Sequence, residues 1–150
     1  MPTEDTVPGS PREAASEGGL VLCGRRLRLV DSITEAAGRG QGEVVVSGSH
    51  GGLSAARFAL EARPHAVVFN DADVGKDGAG IAALAWLQPH GIAAVAVAND
   101  SARIGDAAST LADGVISHLN AAAAGLGAAA GMALREWLQP TTSGNGFNGS

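Results

Sequence analysis

Three apolar runs, each followed by a polar loop and then by a helix-compatible stretch, constrain the fold more than any other feature of this sequence. The runs cover residues 43–46, 66–69 and 92–98 and consist of β-branched and other apolar residues apart from Glu43. Apolar strands that alternate with helices are typical of a parallel sheet covered on both faces. We therefore predict a three-layer α/β fold with a mainly parallel sheet and helices on both faces.

The segment before these runs predicts an N-terminal β-hairpin. Residues 20–30 form two alternating stretches on either side of Gly24 and Arg25, which is the pattern of two short strands joined by a turn. A short helix is expected at residues 31–37, where Asp31 and Ser32 can cap it. Longer helical stretches are expected at 53–63, at 79–90 and from 107 onward.

The ends of the chain differ from its middle. Residues 1–19 and 139–150 are rich in Pro, Gly, Ser and Thr and contain few large apolar side chains, so we predict two disordered tails. The remaining residues, 20–138, form a single predicted domain. A chain of 150 residues can bury a sizeable core without a disulfide or a structural metal.

Charge and cysteine content exclude some classes of function. The formal net charge is -5 and Lys76 is the sole lysine, which argues against a nucleic-acid partner because phosphate binding needs clustered cations. Cys23 is the single cysteine and cannot form an internal disulfide, and no signal segment is evident. We therefore predict a cytoplasmic protein.

Two stretches without charge bear on assembly. Residues 119–134 are mostly Ala and Gly, and their length and low hydrophobicity argue against a membrane span. Residues 81–90 are also uncharged and are expected to be buried all round. A domain of this size has few places to bury two such helices, so we predict a homo-oligomer with one or both at subunit contacts.

The charged residues of the central section lie only in the loops after the second and third runs. Ligands of open α/β sheets bind outside the carboxyl ends of the strands, which is where these loops are expected. We predict that all three loops converge on one pocket. The charged residues in question are Asp71, Asp73, Lys76, Asp77, Asp100, Arg103 and Asp106.

The first loop, residues 47–52, joins a strand to a helix through small residues and predicts an anion site at the helix start. Its candidate ligand-binding residues are Ser47, Ser49, Gly51 and Gly52. His50 is a candidate for proton transfer. The alternative is a tight turn in which His50 lies on the surface or caps the helix.

A nucleophile elbow is a further hypothesis for Ser49, since Gly51 follows two residues later. Ser47 stands where that pattern has its first glycine, which weakens the match. The neighbouring His50 would point away from Ser49 in an extended segment, so a base would have to come from elsewhere, such as His118.

The second loop places Asn70, Asp71 and Asp73 directly after an apolar strand. The Asp71–Asp73 spacing resembles the aspartate pair of haloacid dehalogenase phosphotransferases, but Val74 and Gly75 do not continue that pattern. The two carboxylates could instead hold Mg²⁺, which prefers oxygen ligands. Asn70 is a candidate ligand-binding residue, and Asp71 is a candidate catalytic residue.

Lys76 is the strongest single candidate in the loops. It lies between glycines and aspartates, whereas every other cation of the chain except histidine is an arginine. It could hold a substrate carboxylate or phosphate as a point charge, or act as an acid or base. The alternative is an ordinary salt bridge to Asp71, Asp77 or Asp100.

The third loop combines a carboxylate, a hydroxyl and a guanidinium directly after a strand. Asp100 is a proton-transfer candidate, and Ser101 and Arg103 are candidate ligand-binding residues. Arg103 could hold a carboxylate or could pair with a neighbouring aspartate. Farther on, residues 113–120 predict a turn that enters a helix. His118 is either a structural residue or a catalyst.

The three loops together resemble an uncharacterised family of small bacterial proteins. The segments that carry the resemblance are SGSHGG at 47–52, FNDADVGKDGAG at 69–80 and DSARIGD at 100–106. The likeness covers residues 20–138 and implies that these segments belong together. It implies no particular reaction.

The function that the sequence predicts is a small-metabolite enzyme of hydrolase or lyase type that acts on a carboxylated or otherwise anionic substrate. The helix start after Gly51, Lys76 and Arg103 would hold the anion, and His50, Asp71 and Asp100 would transfer protons. The alternative is a non-catalytic ligand-binding or scaffold protein in which the loop charges pair with one another.

Overall fold

A mixed sheet of six strands runs through the computed structural model, which describes residues 19–22 and 24–139. The strands are neighbours in the order in which they occur in the sequence. They are β1 (Leu20–Val21), β2 (Arg25–Val30), β3 (Val44–His50), β4 (Ala66–Asn70), β5 (Ala93–Val97) and β6 (Ile116–Leu119). The two predicted tails lie almost entirely outside the described residues, and so does Cys23.

The pairing of the strands confirms an α/β fold with an N-terminal hairpin. β1 pairs antiparallel with β2, in the register Leu20 to Arg26 and Val21 to Arg25. β2, β3, β4 and β5 then pair in parallel, each with the next. β6 pairs antiparallel with β5, so the sheet is mixed.

Helices and 3₁₀ turns connect the strands. A 3₁₀ turn (Ile33–Ala36) follows β2, and Ser32 caps it by accepting a hydrogen bond from the Thr34 amide. Two further 3₁₀ segments, Lys76–Ile81 and Gln88–His90, flank α2. The helices are α1 (Leu53–Ala62), α2 (Ala82–Leu87), α3 (Ala107–Asp113), α4 (Ala121–Gly125) and α5 (Leu134–Trp137).

Both faces of the sheet are buried. Val45 and Val67 belong to one apolar cluster together with residues of the 3₁₀ turn after β2, of α1 and of α2. Their strand neighbours Val44, Val46 and Val68 belong to a second cluster, with residues of α3, α4 and α5. Sequential parallel strands with right-handed crossovers place their connections on one face, which explains the first cluster.

The predicted boundaries of the helices and strands are wrong after residue 113. Residues 113–120 contain β6 before they lead into α4, which Asn120 caps, and the uncharged stretch 119–134 is not one helix. Helix α4 ends at Gly125, and the left-handed Gly127 (φ 98°) and Gly131 (φ 91°) follow it. A high alanine content favours helix but does not outweigh glycines in a conformation that ends one.

Among the described residues, no helix combines the length and the apolar character that a membrane crossing needs.

His65 gives a prediction about stability and pH. Its Nε2 is buried without a hydrogen bond to the described residues, and burial, with a smaller effect of Arg25, lowers the pKa of the imidazole from its usual 6.5. The unfolded chain therefore binds a proton more readily than the folded one. We expect the contribution of neutral His65 to the free energy of unfolding to be intact above pH 6.5 and to be lost as the pH falls below that value.

Urea unfolding of the wild type and of His65→Gln across this pH range measures that contribution as a difference. The wild type should lose stability relative to the variant on acidification. A difference that is independent of pH would contradict the prediction.

Candidate active site

The three loops that the sequence singles out meet at the carboxyl ends of β3, β4 and β5. The Gly105 amide donates to the Gly48 carbonyl (2.7 Å), and the Asp71 amide donates to the Val97 carbonyl (2.8 Å). Asn70 Nδ2 donates to the Ala102 carbonyl (3.4 Å). These contacts hold the loops against one another.

Several of the predicted ligand-binding groups are used to hold the backbone. The Ser47 hydroxyl is buried and donates to the Val68 carbonyl (2.7 Å), and Ser49 Oγ accepts from the Ile33 amide (2.9 Å). Ser101 Oγ donates to the Ala98 carbonyl and accepts from the Val115 amide. The Gly51 amide is shared between the carbonyls of Asn70 and Gly80, and Gly52 caps α1.

The charged candidates are placed differently. His50, Lys76, Asp100 and Arg103 are all exposed, and their side chains form no ion pair or hydrogen bond within the part of the chain that the structure describes. The internal salt bridges considered for Lys76 and Arg103 are therefore not formed there. The roles assigned to these four residues stay predictions.

Asp71 is the one predicted catalytic residue that is buried, with 5% of its surface exposed. Its Oδ1 accepts hydrogen bonds from the Asp73 amide (2.8 Å) and the Asn99 amide (3.0 Å). Its Oδ2 accepts from the Ser117 hydroxyl (2.7 Å). Three donors thus offset the cost of burying the carboxylate, which would otherwise be several kcal/mol.

A β-bulge brings Ser117 and His118 together. Val97 lies opposite Ile116 and Ala96 lies opposite His118, so Ser117 is one residue more than regular pairing allows. In a regular strand these neighbours would point to opposite faces, but a bulge reorients side chains. As a result Ser117 Oγ and His118 Nδ1 are 3.0 Å apart.

These contacts form a chain of hydrogen bonds from Asp71 through Ser117 to His118. The single Ser117 proton is directed to the carboxylate at 2.7 Å, so Ser117 Oγ accepts the proton of His118 Nδ1. This assigns the Nδ1–H tautomer to His118 and leaves its Nε2 as the acceptor nitrogen. The His118 side chain is 38% exposed, and its Nδ1 lies 3.9 Å from Asp71 Oδ2.

His118 is therefore not the base of a nucleophile elbow at Ser49. The imidazole contacts Ser117, and Ser49 Oγ contacts the backbone of the 3₁₀ turn after β2 instead. No histidine side chain is hydrogen-bonded to Ser49 Oγ among the described residues, so the base that a nucleophile elbow requires is missing.

Ser117 and His118 border an open cleft of about 640 Å³ between α2 and the end of β6. This volume falls within the range of small-molecule sites. Its lining consists of Ile81, Leu84, Ala85, Gln88, Pro89, Ser117, His118, Leu119, Asn120 and Ala121. His118, which the sequence proposed as a base for Ser49 or as a structural residue, lines this cleft. None of the residues proposed in the three loops does, but Asp71 reaches the cleft through Ser117.

The segment after Asp71 carries backbone strain. Ala72, Asp73 and Val74 have φ angles of 50°, 59° and 69°, in the left-handed region that a β-branched residue such as Val74 rarely adopts. Asp71 holds this run, because its carbonyl accepts from the Val74 amide (2.6 Å) and its carboxylate accepts from the Asp73 amide. Strain of this kind occurs where the surrounding structure fixes a particular geometry.

The positions of Asp71 and Asp73 do not provide a set of ligands for the Mg²⁺ that the sequence suggested. Both oxygens of Asp71 already accept hydrogen bonds, and Asp73 Oδ2 accepts from Asn99 Nδ2 (3.3 Å). Between residues 24 and 139, no three His, Cys, Asp or Glu side chains are grouped in a way that could hold a metal ion.

Sequence reasoning proposed His118 only as a base for Ser49 or as a structural residue, and it did not link Ser117 or His118 to Asp71. The signal that could have found them is the interrupted alternation of Ile116–Leu119, in which two polar residues lie between two apolar ones. In a strand, such a pair at the point of an extra residue indicates a bulge.

Comparison with known proteins adds no family to this description. No protein-family model matches the chain, and no curated protein or solved structure matches it.

Proposed function

We propose that this protein is a small-molecule enzyme of hydrolase or lyase type in which His118 transfers a proton to and from a substrate bound in the cleft. The observation that carries the proposal is the chain of hydrogen bonds Asp71–Ser117–His118 at the border of that cleft. A histidine whose tautomer is held by a second group is the usual proton-transfer residue of enzymes.

Each residue of the chain has a distinct role in this proposal. His118 Nε2 takes a proton from water in a hydrolysis or from the substrate in an elimination, and returns it to the leaving group. Asp71 and Ser117 are positioning residues that hold Nδ1–H, and the Asp71 carboxylate faces the imidazolium at 3.9 Å. Ser117 donates to a carboxylate and not to the imidazole, so its hydroxyl is not activated as in a Ser-His-Asp triad.

The finer predictions from the sequence form part of the same proposal. A three-layer, mainly parallel fold is supported by the three parallel pairings and by the buried clusters on both faces. An anionic substrate is the exception: the exposed cations that would hold it, Lys76 and Arg103, do not line the cleft, so it stays a prediction for the loops. A homo-oligomer and a cytoplasmic location stay predictions.

A non-catalytic ligand-binding protein is the second candidate. It is favoured by the number of loop side chains that are bound to the backbone, among them Ser47, Asn70 and Ser101. In that case the cleft would bind its ligand without turnover, and His118 would serve only as a hydrogen-bonding group.

His118→Gln tests the enzyme proposal. Wild type and variant are assayed on a panel of chromogenic esters, amides and β-elimination substrates. We expect turnover of at least one substrate by the wild type and a loss of about 100-fold or more in the variant, the size of a general acid–base contribution.

Ser117→Ala is the matched positioning variant, since it leaves the imidazole in place but removes its contact. Its kcat should fall less than that of His118→Gln, and its pH–rate profile should shift. Equal rates in wild type and His118→Gln for every substrate would contradict the proposal, and binding without turnover would favour the second candidate.

A further inference from the structure

The lining of the cleft is mostly apolar, which bears on the chemical class of its ligand. Six of its ten residues are apolar, and the side chains of the other four are those of Gln88, Ser117, His118 and Asn120. The described residues that line it include no Asp, Glu, Lys or Arg. Lys76 and Arg103, which the sequence assigned to an anion, belong to other surfaces.

Most polar groups of the lining are already bonded within the protein. Asn120 Nδ2 donates to the carbonyls of Leu84 (3.1 Å) and Ile92 (3.0 Å), and its Oδ1 accepts from the amides of Ala94 and Ala123 (both 3.0 Å). Four bonds use the full capacity of its two donors and two lone pairs. Asn120 therefore fixes the wall of the cleft and offers nothing to a ligand.

Among the described side chains of the lining, two groups stay available for a ligand. Gln88 Oε1 accepts from the Ala122 amide (2.9 Å), so its NH₂ group is the free end of that side chain. Ser117 holds His118 Nδ1, so His118 Nε2 is the free nitrogen. The cleft thus presents one amide donor and one nitrogen acceptor on otherwise apolar walls.

From this lining we infer that the cleft binds an uncharged molecule with an apolar, ring-sized body and a single polar group, such as an alcohol, an amide or an ester. The inference rests on the site of the proposed function and names its substrate class. A carboxylate or ammonium group placed there would lose part of its hydration without gaining a fixed counter-charge, which weakens binding. An uncharged hydroxyl or carbonyl can use the Gln88 amide and His118 Nε2 at no such cost.

Three probes of one shape but different charge test the inference: benzyl alcohol, benzoate and benzylammonium. Each is titrated into ¹⁵N-labelled protein at about pH 8, where benzoate and benzylammonium are both charged. We expect benzyl alcohol to shift the amide signals of residues 81–91 and 116–122, with a Kd of about 1–10 mM, as befits a ligand of so few atoms. Benzoate and benzylammonium should bind about tenfold more weakly or not at all.

A matched pair of variants locates the binding. Ala85 and Ala124 are both exposed alanines in helices, but only Ala85 lines the cleft. Ala85→Trp should fill the cleft and abolish the benzyl alcohol shifts, whereas Ala124→Trp should leave them unchanged. Circular dichroism of both variants verifies that they fold.

The outcomes separate this inference from the proposed function. Three results would overturn the inference: benzoate that shifts these same residues with the Kd of benzyl alcohol, benzyl alcohol that fails to shift them, or benzyl alcohol shifts that survive Ala85→Trp. If Lys76→Met removes benzoate binding, the anion lies at the loops. Turnover that depends on His118 would then still support the enzyme proposal with a different substrate class.

Discussion

Asp71→Ala is expected to lower the free energy of unfolding by about 3 kcal/mol, because it removes a buried acceptor from three donors at once. Two of these donors are backbone amides, of Asp73 and Asn99, and the third is the Ser117 hydroxyl. The Asp73 amide lies in the strained run after β4, so the loss also removes part of what holds that run. Urea unfolding monitored by circular dichroism measures the change.

Asp71→Asn is the matched variant, because its amide keeps one oxygen for the two backbone donors. The second oxygen is replaced by an NH₂ group, which cannot accept the Ser117 proton. We expect a smaller loss of stability, about 1 kcal/mol, together with a change in the ¹⁵N shifts of the His118 ring that reports its tautomer. If Asp71→Ala lowers the free energy of unfolding by less than about 1 kcal/mol, water replaces the carboxylate, and the hydrogen bonds from Asp71 to Ser117 and His118 are not held as described.

Gly48→Ala is expected to cost about 3 kcal/mol or more, at the upper end of overpacking effects. A Cβ on Gly48 would overlap the Asp106 amide nitrogen and lie 2.8 Å from the Asp31 carbonyl oxygen. The Gly105 carbonyl carbon, at 2.5 Å, is also backbone. No side-chain rotation can relieve these contacts, so β3 and the loop before α3 must separate.

Gly125→Ala provides the control for this substitution. Gly125 is the last residue of α4, its φ is not in the left-handed region, and a Cβ there would meet nothing within 4 Å. We expect an effect within about 0.5 kcal/mol, or a slight gain from the higher helix propensity of alanine. If Gly48→Ala unfolds at the same urea concentration as Gly125→Ala, β3 and this loop do not lie as close together as described.

The apolar runs predicted β3, β4 and β5 because buried parallel strands are apolar on both faces, and this pattern survives in the sequence. α1 was also predictable, since Ala55, Ala56, Ala59 and Ala62 lie on one buried face at helical spacing. β6 was not, because the bulge at Ser117 interrupts its alternation and the alanines after it favour helix.

The candidate site was predictable only in part, for a physical reason. Asp71 could be proposed because a carboxylate directly after an apolar strand lies at the functional edge of an α/β sheet. Its partners Ser117 and His118 come from a strand that lies 46 residues farther along the chain. The spacing of residues within one segment contains no information on such a pairing, so the cleft beside His118 could not be predicted. The resemblance to an uncharacterised family, based on the loops alone, stays a prediction.

The bulge in β6 also sets a requirement on chain length. Ser117 and His118 act together only because the chain has one residue more between Ile116 and Leu119 than the pairing with β5 needs. A related chain that had the same amino acids but one residue fewer in this strand would pair regularly and separate the two side chains. In a future alignment of relatives, the length of the segment from Gly114 to Asn120 will therefore distinguish chains that can form this site from those that keep only the fold.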